Sequence, residues 1–90
     1  MESSVNYKTN YNIIFMLRLI NILEANNIVT CTCLRNGDSK DAFSMKIDLE
    51  KRTIIEMDAE PSIYSRQALW KILKLSEQGR LPSEATSHWY

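Results

Sequence analysis

Residues 10–26 read NYNIIFMLRLINILEAN and contain the longest apolar run of the chain. Apolar side chains recur in this run at three- and four-residue spacing, which is typical of a helix. Asn10 suits the N-cap position, and Asn26 tolerates the left-handed conformation of a helix C-cap. The pattern predicts a first helix over residues 10–26. Its first apolar stripe consists of Ile13, Met16, Leu17, Ile20 and Leu23, and its second of Phe15, Leu19 and Ile22.

This first predicted helix is apolar over most of its circumference, with a narrow polar face around Arg18 and Asn21. A helix of that kind is buried on most sides, and a chain of 90 residues has a modest core with which to bury it. Two arrangements satisfy the pattern. Either the helix lies between the sheet and a second helix, or Phe15, Leu19 and Ile22 contact another copy of the chain, which predicts a homodimer.

Three shorter segments are predicted to form an antiparallel meander of strands. Residues 28–34 and 42–49 alternate between two faces, and residues 53–57 are rich in β-branched side chains. Asn36-Gly37 marks the loop between the first two strands, and Glu50-Lys51 marks a tight turn before the third. The side chains of the second strand that are predicted to face the core are Phe43, Met45, Ile47 and Leu49.

A second helix is predicted over residues 62–78, with Pro61 in its first turn and Gly79 as its stop. The order α-β-β-β-α predicts an α+β two-layer sandwich, in which both helices cover one face of a three-stranded antiparallel meander. The predicted domain organisation is a flexible N-terminus at 1–9, a single α+β domain at 10–82 and a C-terminal tail at 83–90.

The composition is that of one globular domain, with 44% hydrophobic and 24% charged residues. Eleven basic and eleven acidic residues give no net charge, which lowers the expectation of nucleic-acid binding. No apolar run reaches the length of about 20 residues that a membrane span needs. The two cysteines are separated by one residue, so a disulfide between them would close no useful loop. This usage is typical of proteins whose thiols stay reduced. We therefore expect a cytoplasmic protein with no membrane partner.

Cys31 and Cys33 are the first candidates for chemistry, because side chains two apart on a strand share one face. Structural zinc needs four ligands, and the only other soft ligand is His88 in the tail. Core packing is therefore the preferred interpretation, and no metal or cofactor is predicted.

Acid–base catalysis is a second candidate, since Asp48 and Glu56 would face each other across a hairpin. Lys46 and Arg52 lie beside them, and cross-strand ion pairs of this kind are ordinary stabilising contacts of a sheet. The chain also has too few glycines for a phosphate-binding loop. The sequence therefore predicts no enzyme.

A basic and aromatic stripe on the second helix supports nucleic-acid binding as an alternative function. Arg66, Trp70 and Lys74 recur every four residues, with Lys71 beside them. Such a stripe can follow phosphates and stack a base. The plainer alternative is a solvated helix face whose cations lie over Trp70.

The C-terminus carries Trp89 and Tyr90, which are typical anchors of protein interfaces. They either pack within the chain or contact a partner. Together with Phe15, Leu19 and Ile22 they predict a small, non-catalytic protein-interaction module, a homodimer that binds or modulates an unidentified protein partner. By association alone, such chains are typical of bacterial or phage accessory proteins.

Overall fold

The computed structural model describes residues 15–89 and consists of a five-stranded antiparallel sheet with one helix. The elements are β1 (Phe15–Ala25), β2 (Ile28–Arg35), β3 (Ala42–Asp48), β4 (Thr53–Met57), α1 (Ile63–Glu77) and β5 (Ala85–Trp89). The strands lie in the order β4-β3-β2-β1-β5. The chain therefore makes a four-stranded meander, and α1 then returns it from the β4 edge to the far side of β1.

The predicted first helix is wrong, because Phe15–Ala25 form β1; residues 10–14 lie outside the described residues. Leu17 and Leu19 are fully buried while Arg18 between them is exposed, which is the two-residue period of a strand. In so dense an apolar run, apolar side chains recur both at the two-residue spacing of a strand and at the three- and four-residue spacing of a helix. Pairing with β2 on one side and β5 on the other selects the strand.

The predicted α-β-β-β-α sandwich with two helices on a three-stranded meander is therefore wrong as well. The observed order is β-β-β-β-α-β, and strand dominates. Three strand predictions and the second helix are confirmed to within about one residue at each end, which is the usual disagreement between assignments of an element's ends. Residues 85–89, within the predicted tail, form the edge strand β5.

A β-bulge at Asn21 explains how β1 carries so many apolar residues. The pairing register with β2 shifts between Ile20 and Leu23, and Asn21 has φ +54°. Asparagine adopts this left-handed conformation more readily than most residues. The bulge places Ile22 in the core at 5% exposure and turns Leu23 outward at 68% exposure. Strict alternation would have buried Asn21 instead.

The core lies between α1 and one face of the sheet. Phe43, Met45 and Ile47 are buried there, which confirms the inward face predicted for β3. The helix contributes Ala68 and Ile72, both fully buried. The other strands contribute Leu17, Leu19, Ile22, Val29, Cys31 and Cys33.

The helix begins at Ser62, whose hydroxyl accepts from the backbone N–H groups of Tyr64 and Ser65. Ser65 closes the reciprocal half of this capping box, since its hydroxyl accepts from the Ser62 N–H at 2.9 Å. Gly79, with φ +100°, follows the last turn as predicted. These local signals set the two ends of α1.

We predict that the stability cost of truncating β1 residues follows the alternation of the strand up to Asn21 and the reversal of faces that the bulge produces after it. Leu17→Ala and Leu19→Ala should each lower the free energy of unfolding by about 2–5 kcal/mol, because both side chains are fully buried. Leu23→Ala should change it by less than about 0.5 kcal/mol. Urea denaturation measures all three. A small cost at Leu17 would contradict the strand, and a large cost at Leu23 would contradict the bulge.

Candidate functional site

A groove lies between α1 and the edge strand β5, with a cavity volume of about 340 Å³. Its lining residues are Arg66, Gln67 and Trp70 from the helix and Ser87, His88 and Trp89 from the strand. We call it the α1–β5 groove. Trp70 is 54% exposed there, which is unusual for so large an apolar side chain.

The α1–β5 groove brings together residues that the sequence assigned to two different sites. Arg66 and Trp70 come from the predicted nucleic-acid stripe, and Trp89 comes from the predicted partner-binding set. Lys74 belongs to the same rim, because its Nζ lies 5.2 Å from the centroid of the Trp70 ring. Lys71, the fourth member of the stripe, is half-buried on the same helix.

The other predicted partner-binding residues are placed differently. Leu19 and Ile22 lie in the core, 0% and 5% exposed, and present no surface to another chain. Phe15 stacks on Trp89, with ring centroids 5.6 Å apart, at one end of the groove. Tyr90 lies outside the described residues.

An aromatic cluster holds the groove's two walls together. The ring of Tyr64, in the first turn of α1, meets Trp89 edge-on at 5.6 Å and Phe15 edge-on at 6.2 Å. Edge-on and offset arrangements are the favourable geometries for aromatic pairs. These contacts place the end of β5 beside the start of α1. The two elements therefore run in opposite directions along the groove.

The hydrogen-bond register shows which backbone groups of β5 are free. The carbonyl of Met16 accepts from the N–H of Asn36, so Met16 turns its backbone groups toward β2. In an antiparallel pair this orientation alternates with each residue, so Leu17 turns toward β5, where its partner is Ser87. The neighbours of Ser87, Thr86 and His88, therefore direct their N–H and C=O groups away from β1. Within residues 15–89 the sheet has no strand on that side of β5.

The charges of the chain are segregated although their sum is zero. Residues 61–80 contain four basic residues and one acidic residue, Glu77, which pairs with Arg52 at 2.9 Å. Residues 38–60 contain seven acidic and four basic residues. In the described part of the chain, Arg66 and Lys74 form no ion pair, so the groove and its rim carry two cations without an acidic partner.

A second depression, about 790 Å³ in volume, lies on the face of the sheet opposite α1. Leu23 and Ile55, 68% and 45% exposed, are among its lining residues. Three of its charged groups have partners within the chain. Lys46 pairs with Glu56 at 3.7 Å, and a carboxylate oxygen of Asp58 accepts from the N–H of Ser44 at 2.7 Å. We therefore regard the smaller groove, whose cations face no partner within residues 15–89, as the better candidate site.

The carboxylates considered for catalysis are not brought together as a pair. Asp48 lies opposite Thr53 in the ladder, whereas Glu56 lies opposite Lys46. An oxygen of Asp48 accepts from the N–H groups of Glu50 and Lys51, at 2.9 and 3.0 Å, and so shapes the turn. These contacts give both carboxylates structural roles.

Cys31 and Cys33 are both free thiols in the core. The neighbouring Cys31 thiol and the shielding from water both raise the pKa of Cys33. Among the described residues, no three His, Cys, Asp or Glu side chains are grouped in a way that could hold a metal ion. The burial agrees with the core-packing interpretation.

We predict that neither thiol reacts with an aromatic disulfide reagent at about pH 8 in the folded protein, because reaction needs an accessible thiolate. Both thiols should react once guanidinium unfolds the chain. Absorbance of the released thiolate counts the modified groups. Rapid reaction of one or both groups in the native protein would contradict their burial.

We also predict that amide hydrogen exchange alternates along β5. The N–H groups of Ser87 and Trp89 should be protected, since they face β1, whereas those of Thr86 and His88 should exchange quickly. Exchange followed by ¹H–¹⁵N NMR resolves the individual groups. Protection of all four would show that another strand covers this edge.

No family model matches the chain, and comparison with curated proteins and with solved structures finds no match. These comparisons lend no support to the expected homodimer, protein binding, or bacterial or phage origin, and they leave the predicted absence of catalysis untested. Within residues 15–89 no helix has the length and apolar character required to cross a membrane.

Proposed function

We propose that this protein is a non-catalytic protein-interaction module that binds an extended segment of a partner protein as a further strand on β5. One observation carries the proposal: the outer backbone edge of β5, on which no strand lies within residues 15–89, runs beside a groove walled by α1. Strand addition of this kind obtains affinity from main-chain hydrogen bonds and specificity from pockets for alternate side chains.

The geometry of the groove supports this mode of binding. The outward N–H and C=O groups of Thr86 and His88 offer the hydrogen bonds of a new ladder. Alternate side chains of an added strand would point to the face that carries Ser87 and Trp89, which is the face covered by α1. There they would meet Trp70, an exposed aromatic of the type that dominates binding energy at interfaces.

The two edges of the sheet differ in the way this function requires. The β4 edge carries the charged residue Glu56 and has a register shift opposite Lys46 and Ile47, which are devices that discourage pairing. The β5 edge, Ala85–Trp89, reads ATSHW and contains neither lysine, proline nor a bulge in its pairing with β1. Strand addition is therefore favoured at β5.

Nucleic-acid binding is the second candidate function, and one contact favours it. Lys74 lies over one face of Trp70, so the ring combines a cation with a surface on which a base can stack. The outer backbone edge of β5 has no role in that function, which is why protein binding is preferred. We further propose a cytoplasmic location, which the two unpaired thiols support.

We predict that peptides selected from a random library displayed on phage lose about tenfold in affinity for Thr86→Pro, since proline removes an outward N–H and obstructs the ladder. Thr86→Ala is the matched control, because it keeps the N–H and should bind as the unchanged protein does. Fluorescence polarisation of the labelled peptides measures both affinities.

The substitution should leave β5 attached to the sheet, since the lost N–H points away from β1. Circular dichroism and the melting temperature check that Thr86→Pro is folded. Peptides that bind a folded Thr86→Pro variant as tightly as the unchanged protein, or a selection that yields no binding peptide, would refute strand addition.

A further inference from the structure

We infer that the segment bound in the α1–β5 groove is acidic, with the pattern acidic–x–apolar–x–acidic, its carboxylates meeting Arg66 and Lys74 and its central side chain resting on Trp70. This inference rests on the proposed strand addition. It specifies the chemistry of the partner, which strand addition alone leaves open.

The sign of the charge comes from the distribution of cations around the groove. Arg66 lines the groove, and Lys74 reaches the rim over the Trp70 ring. Neither forms an ion pair with any residue of the described chain, so both can meet the carboxylates of a ligand. A ligand carrying carboxylates at these two positions would complement the groove.

The spacing of the pattern comes from matching a helix to a strand. Arg66, Trp70 and Lys74 follow one another every four residues, which is about 6 Å along the axis of a helix. Alternate residues of a strand are about 6.7 Å apart and point to the same face. Three side chains at every second position of an added strand therefore have nearly the same spacing as Arg66, Trp70 and Lys74, and each would lie opposite one of them.

The alignment of the two elements supports this match. Tyr64 contacts Trp89 at one end of the groove, and Arg66 to Trp70 lie beside Ser87 to Trp89. Helix and strand thus run side by side over the region where the first two positions of the pattern would bind. The third position falls toward Lys74, further along the helix.

The inference is tested with three acetylated and amidated probe peptides, Thr-Glu-Thr-Val-Thr-Glu-Thr and its relatives with lysine or glutamine in place of glutamate. Titrations followed by NMR, at about 50 mM salt to limit screening, yield the affinities. The glutamate probe should bind about tenfold more tightly than the lysine probe, with the glutamine probe between them. Its binding should weaken as salt is raised.

Charge-reversed variants identify the cations responsible. Arg66→Glu with Lys74→Glu should reverse the order, so that the lysine probe binds more tightly than the glutamate probe. Lys40→Glu with Lys51→Glu is the matched control, because both lysines lie in loops of the meander and the change in net charge is the same. The control should keep the original order.

The outcomes separate this inference from the function on which it rests. Equal binding of all three probes, lost in Thr86→Pro, would leave strand addition standing and overturn the acidic pattern. Binding of the glutamate probe that persists in folded Thr86→Pro would overturn strand addition. Tighter binding of an oligothymidylate than of the glutamate probe, lost on charge reversal and retained in Thr86→Pro, would overturn both in favour of nucleic acid.

Discussion

The hydrogen bonding of β1 on both of its edges is the constraint on which the rest of the structure depends. On one side β1 begins the meander with β2, and on the other it receives β5 after the long return through α1. This double pairing satisfies the backbone of an apolar segment that would otherwise be costly to bury. It also places β5 at the edge of the sheet, where its outer backbone groups have no neighbouring strand within residues 15–89.

The candidate site follows from that arrangement and from the placement of charge. The helix covers the core face beside β1 and β5, and its exposed stripe, Arg66, Trp70 and Lys74, borders the outer edge of β5. A chain with no net charge thereby carries a positive groove, since its acidic residues collect around β3 and β4. The net charge influences solubility and long-range attraction, but a binding site depends on how the charged side chains are distributed around it.

Several features were predictable because their signals are local. The alternation of Phe43, Met45 and Ile47 identifies β3 and its inward face. Ser62, Pro61 and Gly79 mark the ends of α1 through backbone chemistry confined to a few residues. The cationic and aromatic stripe of the helix was recognisable from its four-residue spacing alone.

The sequence by itself determined the three strands of residues 28–57, the helix and the inward side chains of β3, because each depends on neighbours within a few positions. Only the tertiary structure decided that residues 15–25 form a strand, since an apolar run this dense satisfies both periods until partners pair with it. It also decided that Ala85–Trp89, poor in β-forming residues apart from Thr86 and Trp89, form an edge strand. The groove exists for the same reason: its two walls, α1 and β5, follow one another in the chain, and the long-range pairing of β5 with β1 places the strand beside the helix.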